Sequence, residues 1–285
     1  MTIFSGLPVK KTKKLLNYSK NNKPSILIVG PLPPPPGGIS TTVSNLLNSD
    51  LVKDFKIMHV DNSTRRPVNK KGKIDLLNVF SFISQIFSLL VNILLYRPDI
   101  VQIETSSGIS FFKNSFFVLI SKSFFAKVIL SIHGSGIRFI SSVRAFPNII
   151  NFYLKMILKL TNAIRILSGL WIDEFIKEFD LKRENIYVIP NAVKYEKFQS
   201  KGLLEDIDRV PKLLYLGWIG ESKGVFDLIK AAKILSSNGY KFKLLIIGPE
   251  MNEGDREKVK GLVKKYNLKH YIEVFREIDY NETYK

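Results

Sequence analysis

Residues 214–229 read LYLGWIGESKGVFDLI, and the order of residue types in this stretch decides the fold. An apolar run of strand length from Lys212 to Leu216 is broken by Gly217 and Gly220. From Gly224 onward Val225, Leu228, Ile229, Ala232 and Leu235 recur at helical period. A buried strand that passes through glycines into a helix is the repeating unit of a parallel sheet covered by helices. Lys223 and Gly224 therefore fall at a helix N-terminus just past a strand, where the helix dipole, free N–H groups and an ammonium converge. That combination suits a diphosphate; the plain alternative is a surface lysine beside an ordinary helix start.

The same alternation extends toward both ends. Ser25 to Val29, Lys56 to Val60, Ile100 to Glu104, Lys127 to Ile132, Ala163 to Leu167 and Ile186 to Ile189 read as six buried strands. Leu76 to Tyr96, Ser110 to Phe125 and Leu170 to Phe179 read as helices between them. A polar stretch from Lys194 to Arg209 interrupts the pattern as a linker. The pattern then resumes with Lys212 to Leu216, a helix from Gly224, Phe242 to Ile247, a helix from Asp255 to Tyr266, and Tyr271 to Phe275. The expectation is an α/β chain with a basic tail over 1–24, a first domain over 25–200 and a second over 201–285. The second shows three strands, fewer than a doubly wound sheet normally holds, so it is expected to be incomplete at its C-terminus.

At 285 residues and 45% hydrophobic the chain has the length and apolar content for two cores. It has no cysteine, which excludes a disulfide scaffold and thiolate metal sites and suits a reducing compartment. Its N-terminal lysines follow a short apolar start rather than preceding an apolar core, the wrong order for an export signal, so a cytoplasmic location is expected. Of the net charge of +18, residues 1–165 carry nearly all, with 22 Lys and Arg against 6 Asp and Glu. Such asymmetry points to an anionic partner, and six lysines between Lys10 and Lys23 suit a peripheral anionic membrane surface. Nucleic acid is not expected, because no reader motif occurs and the aromatics lie in apolar runs rather than among basic residues.

Leu76 to Tyr96 contains no charged residue, long enough to raise the question of a membrane span. Asn78, Ser81, Gln85, Ser88 and Asn92 recur at spacings of three and four, which makes the helix amphipathic instead. Interfacial helices usually carry Lys or Arg on the polar face, so the expected place for this helix, and for residues 110–125, is the core.

Three further motifs bear on chemistry. The first strand runs into Gly30 and a proline turn, Pro33-Pro34-Pro35-Pro36, that ends in Gly37-Gly38 before a helix expected from Ser40 or Thr41, so backbone N–H groups can approach an anion. The sequence is neither a dinucleotide fingerprint nor a P-loop. Ile132-His133-Gly134 puts His133 at the carboxyl edge of the sheet, where open α/β folds bind ligands, unless it is a histidine satisfied by backbone at a strand end. Asp206-Ile207-Asp208 spells a metal-binding pattern but lies in the linker, and no His or Cys pair has ligand spacing, so no metal is expected.

The proline–glycine–glycine loop, His133-Gly134, Ile189-Pro190-Asn191-Ala192-Val193, Gly217 with Lys223-Gly224, and Ile246-Ile247-Gly248 follow one another in an order that resembles the glycogen-synthase-like family of retaining glycosyltransferases with the GT-B fold. The resemblance runs from Ser25 to the last residue. It implies two Rossmann-like domains, a nucleoside-diphosphate sugar as donor substrate with no further cofactor, and no metal. The donor is implied to bind mainly to the second domain and the acceptor to the first, with reaction in the cleft between them. Carried onto this sequence, Gly37 and Gly38 face the donor phosphates, His133 the sugar or diphosphate, and Lys223 the leaving diphosphate. Gly217, Gly224 and Gly248 complete the nucleotide-sugar loops. Three departures stand out. Trp218 occupies the place of a diphosphate-binding arginine, and Arg276 stands where glycine is common. The family's paired glutamates would fall beyond Lys285, so this chain alone is expected to be inactive. The implied activity is hexosyl transfer with retention to a lipid-linked or polysaccharide acceptor, in the building of cell-surface polysaccharide. The alternative is an inactive partial subunit or membrane-associated interaction protein of the same fold.

Overall fold

The computed structural model describes residues 23–34, 37–63, 75–192 and 210–278, which fall into two compact units, 23–192 and 210–278. The basic tail up to Asn22, the linker over 194–209 and Asp206 to Asp208 lie outside the described residues.

In the first unit six strands, β1 (Ser25–Val29), β2 (Lys56–Val60), β3 (Ile100–Thr105), β4 (Lys127–Ile132), β5 (Ala163–Ile166) and β6 (Ile186–Val188), form one sheet in the order β2-β1-β3-β4-β5-β6. All pairs are parallel; Ser25 is registered on Lys56, Ile26 on Ile100 and Ile100 on Lys127. The strands are short runs of Val, Ile and Leu because such a sheet is shielded on both faces. Leu27, Val29, Val101, Ile103, Val128, Leu130 and Ile164 are buried in it. The chain runs from β1 to β2 in one direction and from β2 past β1 to β3 in the other. The carboxyl ends of β1 and β3 therefore form the topological switch point, where such sheets bind ligands.

The connections are α1 (Gly38–Leu47), α2 (Leu51–Asp54), α3 (Leu76–Tyr96), α4 (Ile109–Ser123), α5 (Gly136–Arg144), α6 (Asn148–Leu160) and α7 (Ile172–Phe179). Helix α1 starts at Gly38, two residues earlier than its side chains suggest, because Gly37 is extended and its carbonyl accepts from Thr41 N at 2.9 Å. The crossover from β4 to β5 holds two helices absent from the sequence reading. Pro147 separates them and starts α6, since its ring fixes φ and removes a donor that a helix interior needs. Helix α4 is a core helix as expected, with Phe111, Phe117 and Val118 fully buried and Phe111 packed 4.9 Å from the ring of Phe139.

Helix α3 corrects the sequence reading. It is not a buried core helix: its polar stripe turns toward the protein together with Phe82, Ile86, Leu89 and Ile93, and the rest of its apolar surface faces out. Gln85, Leu89 and Ile93 are its only buried residues, whereas Leu76 is 88% and Phe80 74% exposed. The cause lies on α4. Lys113 donates to Gln85 Oε1 at 2.9 Å and to the Asn62 carbonyl at 3.0 Å, and the Gln85 amide donates to the Ser63 carbonyl at 3.0 Å. Burial pushes the Lys113 ammonium down to about 8, with Asp61 opposing the shift. An ammonium held out of water must be ringed by acceptors, and α3 supplies one only by turning its polar stripe inward.

The second unit is a parallel sheet in the order β7 (Lys212–Leu216), β8 (Lys243–Ile247), β9 (Ile272–Phe275), with α8 (Val225–Ser237) and α9 (Asp255–Lys265). Ile219, Val225, Ile229, Leu244, Ile246, Val259, Val263, Leu268 and Ile272 make its core. Gly254 precedes α9 with φ +85, and the buried Asp255 carboxylate accepts from Asn252 N at 3.0 Å, closing the turn into that helix.

Candidate functional site

At the switch point of the first unit, α1 comes so close to the sheet that a Cβ on Gly30 would lie 2.7 Å from Val43 Cγ2 and 3.1 Å from Glu104 Cγ. Glu104, one residue before the end of β3, is 1% exposed, and its two oxygens are fully engaged. Gln102 Nε2 donates to Oε1 at 2.5 Å, His133 Nε2 lies 2.5 Å from Oε2, and the Arg165 guanidinium lies 3.9 Å from the same oxygen. His133 is 7% exposed, and its backbone N–H donates to the Thr105 carbonyl at 2.8 Å, which fixes it beside β3. An ionised carboxylate only accepts, so in this contact His133 Nε2 is the donor. Arg165 extends the network: Nε donates to the Ile189 carbonyl at 2.9 Å, and one terminal nitrogen to the Pro190 carbonyl at 3.2 Å and Asn191 Oδ1 at 2.9 Å. Burial lowers the Arg165 pKa and Glu104 raises it.

The carboxyl ends of β3, β4, β5 and β6 are thus tied by one buried carboxylate and one buried guanidinium. Sequence reading singled out His133 and the Ile189-Pro190-Asn191 segment but neither Glu104 nor Arg165, the two charges that join them. The signal was present: a charged residue inside or ending an apolar strand must be paired when buried. We expect Glu104→Gln, which keeps the shape and removes the charge, to lower turnover of the active protein by about tenfold or more, short of the loss from deleting a preorganised donor outright. Steady-state rates measured across pH check this, and a variant with an unaltered rate and an unaltered pH profile would make Glu104 a packing residue only.

Gly37 and Gly38 are placed at the start of α1. Gly37 gives the helix no side-chain cap, and a Cβ on Gly38 would meet nothing within 4 Å. The packing of this unit does not itself require glycine at position 38.

In the second unit the ends of β7 and β8 nearly touch. Gly248 has φ +155, and a Cβ there would lie 1.8 Å from the Gly217 carbonyl oxygen. Gly217 N donates to the Ile247 carbonyl at 3.0 Å, and an Ile219–Glu250 bridge carries the pairing beyond the strands. A 3₁₀ turn, Glu221–Lys223, follows, and Gly224 turns the chain into α8 with φ +75. Gly224 provides no side-chain cap, which leaves the first N–H groups of α8 uncovered by it. Lys223 is exposed, and among the described residues its ammonium has no hydrogen bond or ion pair. Trp218 offers its carbonyl to the Tyr215 hydroxyl at 2.6 Å. The cation that stands by this edge is Arg256, which donates to the Gly248 carbonyl at 3.0 Å and lies 3.7 Å from Glu250 and 3.4 Å from Glu277. Its charge is matched by these carboxylates, and its bond to the Gly248 carbonyl props that turn. Arg276 is exposed at the end of β9. Among the described residues no three His, Asp or Glu side chains are placed to hold a metal ion.

Residues 197–285, which contain this strand–turn–helix, match the family of glycosyl transferases group 1. The match covers the second unit and less than a third of the chain. The chain as a whole is similar in fold to a glycosyltransferase from Rickettsia africae ESF-5, at 19% identity and a TM-score of 0.63 over 90% of this chain and 69% of that one. It is also similar to Anabaena Alr3699/HepE in complex with UDP, at 11% identity and a TM-score of 0.59 over 90% of this chain and 70% of that one. UDP-GlcNAc 2-epimerase from Methanocaldococcus jannaschii is a third likeness, at 14% identity and a TM-score of 0.52 over 91% of this chain and 75% of that one. No curated protein sequence matches the chain significantly. At such identities the likeness carries the fold, which is GT-B, and the epimerase shares it. Fold alone does not choose a reaction. The family match of residues 197–285, taken with the fold, supports a glycosyltransferase.

Proposed function

We propose that the protein transfers a hexosyl group, with retention, from a nucleoside-diphosphate sugar to a lipid-linked or polysaccharide acceptor, at the cytoplasmic face of a membrane where cell-surface polysaccharide is built. The observation that carries the donor is the Lys223–Gly224 turn: an ammonium without a partner among the described residues, set immediately before the N-terminus of α8. As the bond from the anomeric carbon to the phosphate oxygen lengthens, negative charge gathers on the diphosphate. The N–H groups of α8 are oriented before that charge develops, and the ammonium beside them adds positive charge at the same point. Anabaena Alr3699/HepE binds UDP on the same fold, which favours a uridine nucleotide as the donor class. His133, held through Nε2 by Glu104, is assigned to a sugar or phosphate oxygen on the first unit.

The test is titration of the protein with UDP and with other nucleoside diphosphates by calorimetry, followed by nucleotide release from candidate sugar donors in the presence of membrane extract. We expect a nucleoside diphosphate to bind and its sugar to turn over, with the product anomer matching the donor by NMR. A second reading, an inactive interaction protein of the same fold, is favoured by Trp218 and by the paired state of Arg256. Nucleotide binding without any turnover in the presence of acceptor would select it.

A further inference from the structure

The outward face of α3 has no role in the chemistry above, and its composition is that of a surface meant to be covered. Leu76, Phe80, Ile83, Phe87 and Leu94 fall on a single stripe at steps of four, three, four and seven, and all five are exposed. The 21 residues of α3 span about 30 Å, and none is charged. At its C-terminal end the stripe runs into an apolar concavity of about 920 Å3 at the amino edge of the sheet, lined by Ile93, Leu94, Phe124 and Phe125. Phe125 is 96% exposed and takes φ +60, a conformation that bulky residues avoid, so an aromatic is held outward at a conformational cost. Cations flank the apolar surface: Arg97 and Lys127 line the same concavity, and the Lys56 ammonium lies 5.5 Å from the ring of Tyr96.

We propose that the outward face of α3, continued by Phe125, is the surface by which the first unit lies on an anionic lipid bilayer. An apolar patch of this extent marks an interaction site on a water-soluble protein. The ridge is a single convex helix, which a bilayer accepts by letting its apolar side chains sink among the acyl chains. Charge complementarity selects the bilayer over a second copy of this chain: Lys56, Arg97 and Lys127 flank the apolar surface, and the first 165 residues carry 22 Lys and Arg against 6 Asp and Glu, so two copies repel. A helix in the interface usually draws its cations from its own polar face. Here that face carries no cation and gives Gln85 to the buried Lys113, and neighbouring elements provide the cations instead. The inference stands apart from the sugar chemistry and does not depend on it.

The experiment is co-sedimentation of the protein with vesicles of phosphatidylcholine and phosphatidylglycerol, and with vesicles of phosphatidylcholine alone. Binding to the anionic vesicles is expected. The combined variant Phe80→Ser, Ile83→Ser, Phe87→Ser should weaken that binding by at least roughly 100-fold while leaving the far-UV circular dichroism unchanged. A separate Phe87→Trp protein should shift its emission to the blue on adding anionic vesicles and be quenched by brominated acyl chains. Equal binding by the serine variant and the parent would overturn the proposal by leaving the cations to act alone. So would a dimer in lipid-free sedimentation that the serine substitutions disperse, or a protein that anionic vesicles leave wholly in the supernatant.

Discussion

Lys223→Ala is expected to lower turnover of the active protein on the order of 100-fold, by analogy with removal of one preorganised donor from a site of developing negative charge. The expectation rests on the turn in which the residue sits. The 3₁₀ turn Glu221–Lys223 and the left-handed Gly224 place the ammonium immediately before α8, so positive charge is supplied at the point where the helix dipole already favours an anion. Trp218 occupies the place where a second cation is common, and the nearby Arg256 is paired with Glu250 and Glu277. On the proposed donor site, more of the diphosphate's charge falls to Lys223 than would fall to it with an arginine at 218. Lys223→Arg should restore part of the rate, since charge returns in a different shape. Nucleotide release under steady-state conditions measures both variants, and an alanine variant as fast as the parent would remove Lys223 from the site.

The second large effect is on stability. Gly248→Ala should destabilise the second unit by on the order of 3 kcal/mol or more, because the new Cβ has no room and no favourable conformation. At 1.8 Å from the Gly217 carbonyl oxygen it collides with backbone, which a side-chain rotation does not relieve, and φ +155 is unsuited to any residue with a Cβ. Parting the strands to make room would break the Gly217 N to Ile247 carbonyl bond of 3.0 Å that aligns them. Gly38→Ala is the contrasting substitution. Its Cβ enters open space at the first turn of α1, where alanine is the better helix former, so stability should hold or rise. If Gly38→Ala nevertheless slows transfer, the crowding comes from a ligand rather than from the chain. Urea denaturation followed by far-UV circular dichroism reads the stability of both. A Gly248→Ala protein with an unchanged midpoint would contradict the close approach of the two strands.

The sequence determined by itself whatever rests on local pattern. Apolar runs of strand length, such as Ser25–Val29 and Lys212–Leu216, alternate with segments of helical period, and that alternation leaves no other class than helices on a parallel sheet. Glycines at strand ends and a lysine before a helix were legible for the same reason, since a turn and its neighbours are contiguous in the chain. Helix α3 was legible as an amphipathic helix over its full extent, but its orientation was not. Periodicity defines two faces without saying which one meets the protein, and here the choice was made by Lys113, 28 residues from Gln85 and on another helix. The pairing of Glu104 with His133, 29 residues apart, and of Arg165 with Asn191, 26 apart, was likewise decided by the tertiary structure. A buried charge states that it needs a partner, but only the sheet order β1-β3-β4-β5-β6 determines which strand ends are near enough to provide one.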